Sequence, residues 1–247
     1  AGLLGAIAVI GACYLITFTT ALSLSSITTN IRLGAGGVFS IIARSLGLET
    51  GGAIGIPLYL AQALSAALYA YGFSEGWTYI FPEHPQILVA YAMFGTVFLI
   101  TMVSTRLAFM LQGIVMVFII ASISTILLGA FGVGHAEGRV LHGATLIGFE
   151  RQGFWDIFAV FFPAALSSTV AAPRVLQALG EHHILPKHEF FSKKSKGGEP
   201  RNAMMVTAVL IGLALLAGGL DNVAVLITMF FMLTYLTINV VVLIEQS

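Results

Sequence analysis

Residues 161–179 read FFPAALSSTVAAPRVLQAL: two prolines, a Ser-Ser pair and a threonine in a stretch that is otherwise almost all apolar. A bilayer core is crossed by about 20 apolar residues of helix, so the length suits a membrane span and the residue types do not. Proline in a helix interior removes one backbone donor and crowds the carbonyl four residues earlier. Pro163 thus deprives the Ala159 carbonyl of its helical partner, and Pro173 does the same to Thr169. In hydrocarbon an unpaired carbonyl is costly unless something satisfies it. One reading is a proline kink with serines bonded back to their own helix. The other is an oxygen-lined break that holds a dehydrated alkali cation. Ser167 lies one turn beyond Pro163 on the same face, with Ser168 beside it, so hydroxyl and carbonyl oxygens can converge.

The rest of the chain decides that this is a membrane protein. Of 247 residues 58% are hydrophobic and 9% charged, at zero net charge; soluble domains carry about 25% charged residues. Apolar runs give seven expected spans, at about 3–29, 52–73, 86–104, 109–131, 154–180, 203–219 and 222–244. Such continuous runs leave no room for the alternation of a β-barrel. The expected class is an all-α membrane protein, a single transmembrane domain over 1–247.

Lysine and arginine set the orientation. Arg32, Arg44, Arg106, Arg174, Lys187, Lys193, Lys194, Lys196 and Arg201 fall on one side, Arg139 and Arg151 on the other. The richer side is assigned to the cytoplasm, which puts the N-terminus outside and the C-terminus inside. Two cytoplasmic loops stand out. Within residues 30–51, VFSIIARSL has helical periodicity and is expected to form a short helix against the bundle. The GAGG before it follows no strand, so a nucleotide loop is not expected. Residues 181–202 form a basic loop with His182, His183 and His188, whose spacing includes no thiol or acidic partner suited to a transition metal. The lone Cys13 excludes a disulfide framework, and the neutral charge balance gives no footprint for nucleic acid.

The middles of all seven expected spans lack Lys, Arg, Asp, Glu and His. A charge at the bilayer centre costs about 2.5–3.5 kcal/mol on insertion scales, which proton relays accept and this chain avoids. No nucleophile–base pair or metal-ligand set appears, so an enzyme is not expected and no cofactor is called for. Transport fits, with any ion held by carbonyls, hydroxyls and helix ends.

Several blocks carry a resemblance. Residues 33–77, LGAGGVFSIIARSLGLETGGAIGIPLYLAQALSAALYAYGFSEGW, resemble the cation–chloride cotransporters, within the amino acid–polyamine–organocation superfamily of LeuT-like fold. FAVFFPA (158–164) is similar to the first half of that family's broken sixth span. LSSTVAAPRVLQALGEHHILP (166–186) is similar to the end of its eighth span, and residues 198–239 to its ninth and tenth. The match is weak over 86–153. It implies a partial inverted-repeat bundle that lacks the family's first span and the region from 6b through 7 to 8a, with two half-spans fused near Ala164.

The resemblance also implies roles. Tyr69 and the backbone at Pro163 would hold potassium; Ala164 (carbonyl), Ser167 and Ser168 would hold sodium; and Tyr235, in FFMLTYLTIN, would donate its hydroxyl to chloride. Half of each site would be missing, so this chain alone is expected to be incomplete or inactive. The implied activity is electroneutral symport of chloride with potassium and/or sodium across the plasma membrane, in a protein of a family whose members are often dimers. The alternatives are an amino acid permease on the same scaffold and a non-transporting membrane scaffold.

Overall fold

The computed structural model describes residues 3–30, 36–130, 154–195, 197–217 and 220–246. Among the described residues every regular element is an α-helix: α1 (Leu3–Asn30), α2 (Val38–Leu46), α3 (Leu48–Ile80), α4 (Gln86–Val103), α5 (Thr105–Ala130), α6 (Phe154–Glu181), α7 (His188–Ser192), α8 (Arg201–Ala217) and α9 (Leu220–Gln246). Five of them (α1, α3, α4, α6 and α9) are long and apolar enough to cross a membrane. α5 and α8 hold shorter apolar stretches, Thr105–Val117 and Arg201–Leu216. This is an integral membrane protein of helical fold. Arg32, Arg139 and Arg151, which enter the orientation count, lie outside the described residues, as does part of GAGG.

The chain divides into two compact units. The first holds residues 1–62, 171–206 and 224–247. Its centre is α2, the helix expected over VFSIIARSL, which buries Phe39, Ile41, Ile42 and Ala43. Gly36 makes this entry possible: it turns the chain at φ 92, and a Cβ there would collide with that of Ala178 in α6. Gly55 of α3 then leaves room for both the Phe39 ring and Leu179 of α6, which a Cβ there would meet. Ile41 and Ile42 join Ile54 of α3 and Ile238, Val241 and Val242 of α9 in one apolar cluster. α1 and α9 are tied by side chains: Ser23 Oγ donates to Asn239 Oδ1 at 2.9 Å, and Asn239 Nδ2 donates to Thr20 Oγ1 at 3.1 Å. In an apolar medium such bonds between helices are the glue that apolar contact cannot supply. At the end of α6, Glu181 accepts from Gln177 Nε2 and from Lys194 Nζ, both at 2.8 Å, which pins the basic loop.

The second unit holds residues 63–170 and 207–223. α8 is anchored here by two tyrosines. Tyr91 donates to the Gly212 carbonyl at 2.6 Å, and Tyr71 donates to the Leu215 carbonyl. Leu215 is in the last turn of α8, where carbonyls lack helical partners, so the Tyr71 hydroxyl caps the helix from its neighbour. α4 and α5 are parted by a single extended residue, Ser104 (φ −164, ψ 118). Its Oγ accepts from the Leu107 N–H at 3.2 Å, an N-cap that restarts the helix.

Candidate functional site

Two helices of the second unit carry most of the expected ligands. Gly72 and Gly76 of α3 lie where an added Cβ would meet Phe161 and Ile157 of α6, respectively. Each step back along α3 is therefore matched by a step forward along α6, an antiparallel register with glycines at the closest approach. Carried down the unit, that register sets Tyr69 level with Ala164 and Ser65 level with Ser168. Pro163 and Ser168 are buried, while Tyr69, Ala164 and Ser167 are half-buried. By that register the potassium and sodium residues of the sequence reading span two neighbouring turns of one helix pair.

α6 decides between the two readings of its prolines. It is one uninterrupted helix from Phe154 to Glu181, with Pro163 and Pro173 inside it. Of the two readings, the continuous helix holds and a break at Pro163 does not, because each proline removes a single rung of the hydrogen-bond ladder and the rungs on either side persist. The lost donor remains lost: Pro163 still has no N–H for the Ala159 carbonyl.

The structure adds two residues that the sequence reading missed. Ser65 and Thr169 are each 2% exposed, and neither hydroxyl has a hydrogen-bond partner. Thr101 and Thr234, by contrast, donate to the carbonyl four residues back, the usual resort of a hydroxyl in an apolar helix. The only signal available beforehand was position, Ser65 one turn before Tyr69 and Thr169 directly after the serine pair.

Tyr235 belongs to the first unit. It packs on the cluster formed by α2, α3 and α9 and stacks on Phe231 at 5.7 Å between centroids. The histidine loop is built as ring contacts, with His182 edge-on to Phe39 at 5.5 Å and His183 edge-on to His188 at 4.1 Å. No group of three metal-binding side chains occurs among the described residues.

Residues 156–244 match the family model for amino acid permeases. Solute carrier family 12 member 2 of Squalus acanthias is 30% identical over 184 residues, which is 67% of this chain and 15% of that protein. Member 2 of the same family from Mus musculus is 26% identical over 237 residues, 88% of this chain and 19% of the relative. Member 1 from Rattus norvegicus is 29% identical over 177 residues, covering 64% and 16%. The cation–chloride cotransporters are its relatives. The chain spans less than a fifth of the length of these relatives. Both sets of relatives are membrane transporters rather than enzymes, and the all-helical architecture agrees with that relationship.

Proposed function

We propose that this chain belongs to a secondary transporter that couples chloride to potassium and/or sodium, and that it forms a single transmembrane domain in the plasma membrane with its N-terminus outside. The observation that carries the reading is the α3–α6 level. There Tyr69, the proline-freed carbonyl of Ala159, Ser167 and Ser168 lie in apolar helices, with the unpartnered hydroxyls of Ser65 and Thr169 beside them. Dehydrated alkali cations are stabilised by neutral oxygen dipoles of this kind without any buried formal charge, as at broken helices of inverted-repeat transporters. Tyr69 and the Pro163 backbone take potassium; the Ala164 carbonyl, Ser167 and Ser168 take sodium; the Tyr235 hydroxyl takes chloride. Since α6 is continuous, the oxygens without a helical partner here are side-chain hydroxyls and the Ala159 carbonyl freed by Pro163, and the Ala164 carbonyl reaches a cation only through its second lone pair, a sparser set than an unwound helix offers. That sparseness agrees with an incomplete site.

Rubidium uptake into cells that express the full-length gene tests the reading. Uptake that needs external chloride supports it; uptake independent of chloride overturns it. The match of 156–244 to the amino acid permeases favours a second reading, entry of a radiolabelled amino acid. The same cells separate the two.

A further inference from the structure

A cavity of about 390 Å³ opens in the second unit, apart from the hydroxyl level described above. α3 contributes Phe73 and Trp77, α6 contributes Phe158 and Phe162, and α4 contributes Met93 and Ala92. This volume falls within the range of small-molecule sites, roughly 300–1,000 Å³. Its walls are almost wholly apolar, and its few polar groups are already engaged. Thr96 donates to the Ala92 carbonyl at 2.8 Å, and Trp77 Nε1–H donates to His84 Nδ1 at 2.9 Å.

That second bond fixes the state of His84. Because Nδ1 accepts, the neutral ring carries its hydrogen on Nε2. Nε2–H makes no bond to the protein among the described residues. The cavity therefore offers a guest a long apolar wall and one free donor at its rim, where His84 sits in the turn between α3 and α4. A donor there disfavours a cationic head, and no carboxylate lines the wall to hold one. Ala92 and Thr96 are exposed on α4, so the cavity opens sideways along a membrane-crossing helix. Exposed Phe81 packs on the His84 ring at the rim, 5.7 Å between centroids, and exposed Tyr79 lies two residues before it at the end of α3, aromatic groups of the sort that gather at a membrane interface.

We infer that this cavity takes one fatty-acyl chain, whose carboxylate or ester oxygen accepts the Nε2–H of His84. The chain fills the aromatic wall, and the head stays at the rim. A free fatty acid and the acyl ester of a membrane phospholipid share this chemistry.

Fluorescence of Trp77 reads the contact directly. The sequence has two tryptophans, so Trp155→Phe leaves Trp77 as the only emitter. The chain is placed in nanodiscs and titrated with dibromostearate, or assembled with brominated phosphatidylcholine. Bromine quenches only on near contact. Saturable quenching by dibromostearate is expected, abolished by Ala92→Phe, which fills the cavity, and weakened about tenfold or more in affinity by His84→Ala, as for a lost hydrogen bond to a charged group. Quenching by brominated phosphatidylcholine alone, again removed by Ala92→Phe, upholds the site and names the phospholipid as its source. Thr96→Leu fills the same space from the next turn of α4 and guards against a folding defect in the first variant. Quenching by both probes that is unchanged in Ala92→Phe and Thr96→Leu overturns the inference.

Discussion

At the scale of single residues, the hydroxyls divide into those that are spent and those that are not. Thr101 and Thr234 return their hydrogen to their own helix, whereas Thr169 and Ser65 hold theirs in a buried, unpaired state. An unsatisfied buried hydroxyl costs about 1–3 kcal/mol. Thr169→Val removes that cost at nearly constant shape, so in sodium-free buffer it is expected to stabilise the protein by about 1–3 kcal/mol. If sodium binds the wild-type hydroxyl, added sodium stabilises the wild type alone and the gap narrows. Unfolding in detergent with choline or sodium as the cation measures both; a gap that ignores sodium removes Thr169 from any cation site. For chloride, Tyr235→Phe subtracts one hydroxyl. In the full-length protein the expected result is a chloride KM about tenfold higher in uptake assays, the size of a lost hydrogen bond to a charged group. An unchanged chloride dependence removes Tyr235 from the site. None of this division was legible in the sequence, since a serine that bonds its own helix and one that does not are spelled the same way.

Helices as elements were far more legible, because a long apolar run must be helical in a membrane. The same logic sets no sharp ends. α3 runs 33 residues through Pro57, beyond the 52–73 expected, because a proline near the start of a long helix costs one rung and not the helix. α4 and α5 part at Ser104 alone, a boundary marked only by a capping hydroxyl. α2 was readable to the residue, since VFSIIARSL alternates faces with helical period between glycines. At α6 the prolines were visible and left two readings open, a kinked helix or an oxygen-lined break: one helix passes through both prolines. That continuity yields a prediction. Pro163→Ala returns an N–H to the Ala159 carbonyl, and proline in a helix interior costs about 3 kcal/mol. The variant is therefore expected to raise the thermal stability of this chain by several degrees while abolishing rubidium uptake in the full-length protein. Stability and uptake that rise together would show that the freed carbonyl has no part in transport. Gly36→Ala tests the other tightly built element. It forces a side chain into φ 92 and against Ala178, and is expected to destabilise α2 docking by about 1–3 kcal/mol, read as earlier proteolysis of the 30–51 loop.

Across the whole molecule, the decisive question is how many helices cross. Residue 83 lies in the turn before α4 and residue 193 in the loop after α7. Between them, besides the five-residue α7, stand α4, α5 and α6. Two of these meet the length and hydropathy of a span, and α5 presents only Thr105–Val117 as a shorter apolar stretch. The expected lysine and arginine balance has all three cross: with α5 and α6 both spanning, Arg106 and the basic loop share one side and Arg139 and Arg151 take the other. An odd number of crossings places residues 83 and 193 on opposite faces; an even number places them together. Cys13 is the sole cysteine, so a Cys13→Ser background carries no other thiol. Both Glu83 and Lys193 are exposed, which makes Glu83→Cys and Lys193→Cys clean reporters. A membrane-impermeant maleimide added to intact cells is expected to label Glu83→Cys and to leave Lys193→Cys unmodified until the cells are permeabilised. The reverse pattern inverts the orientation and keeps the three crossings. Labelling of both from outside takes α5 out of the bilayer. The bundle would then lose the antiparallel relation between α5 and α6 that the arrangement of charged loops demands.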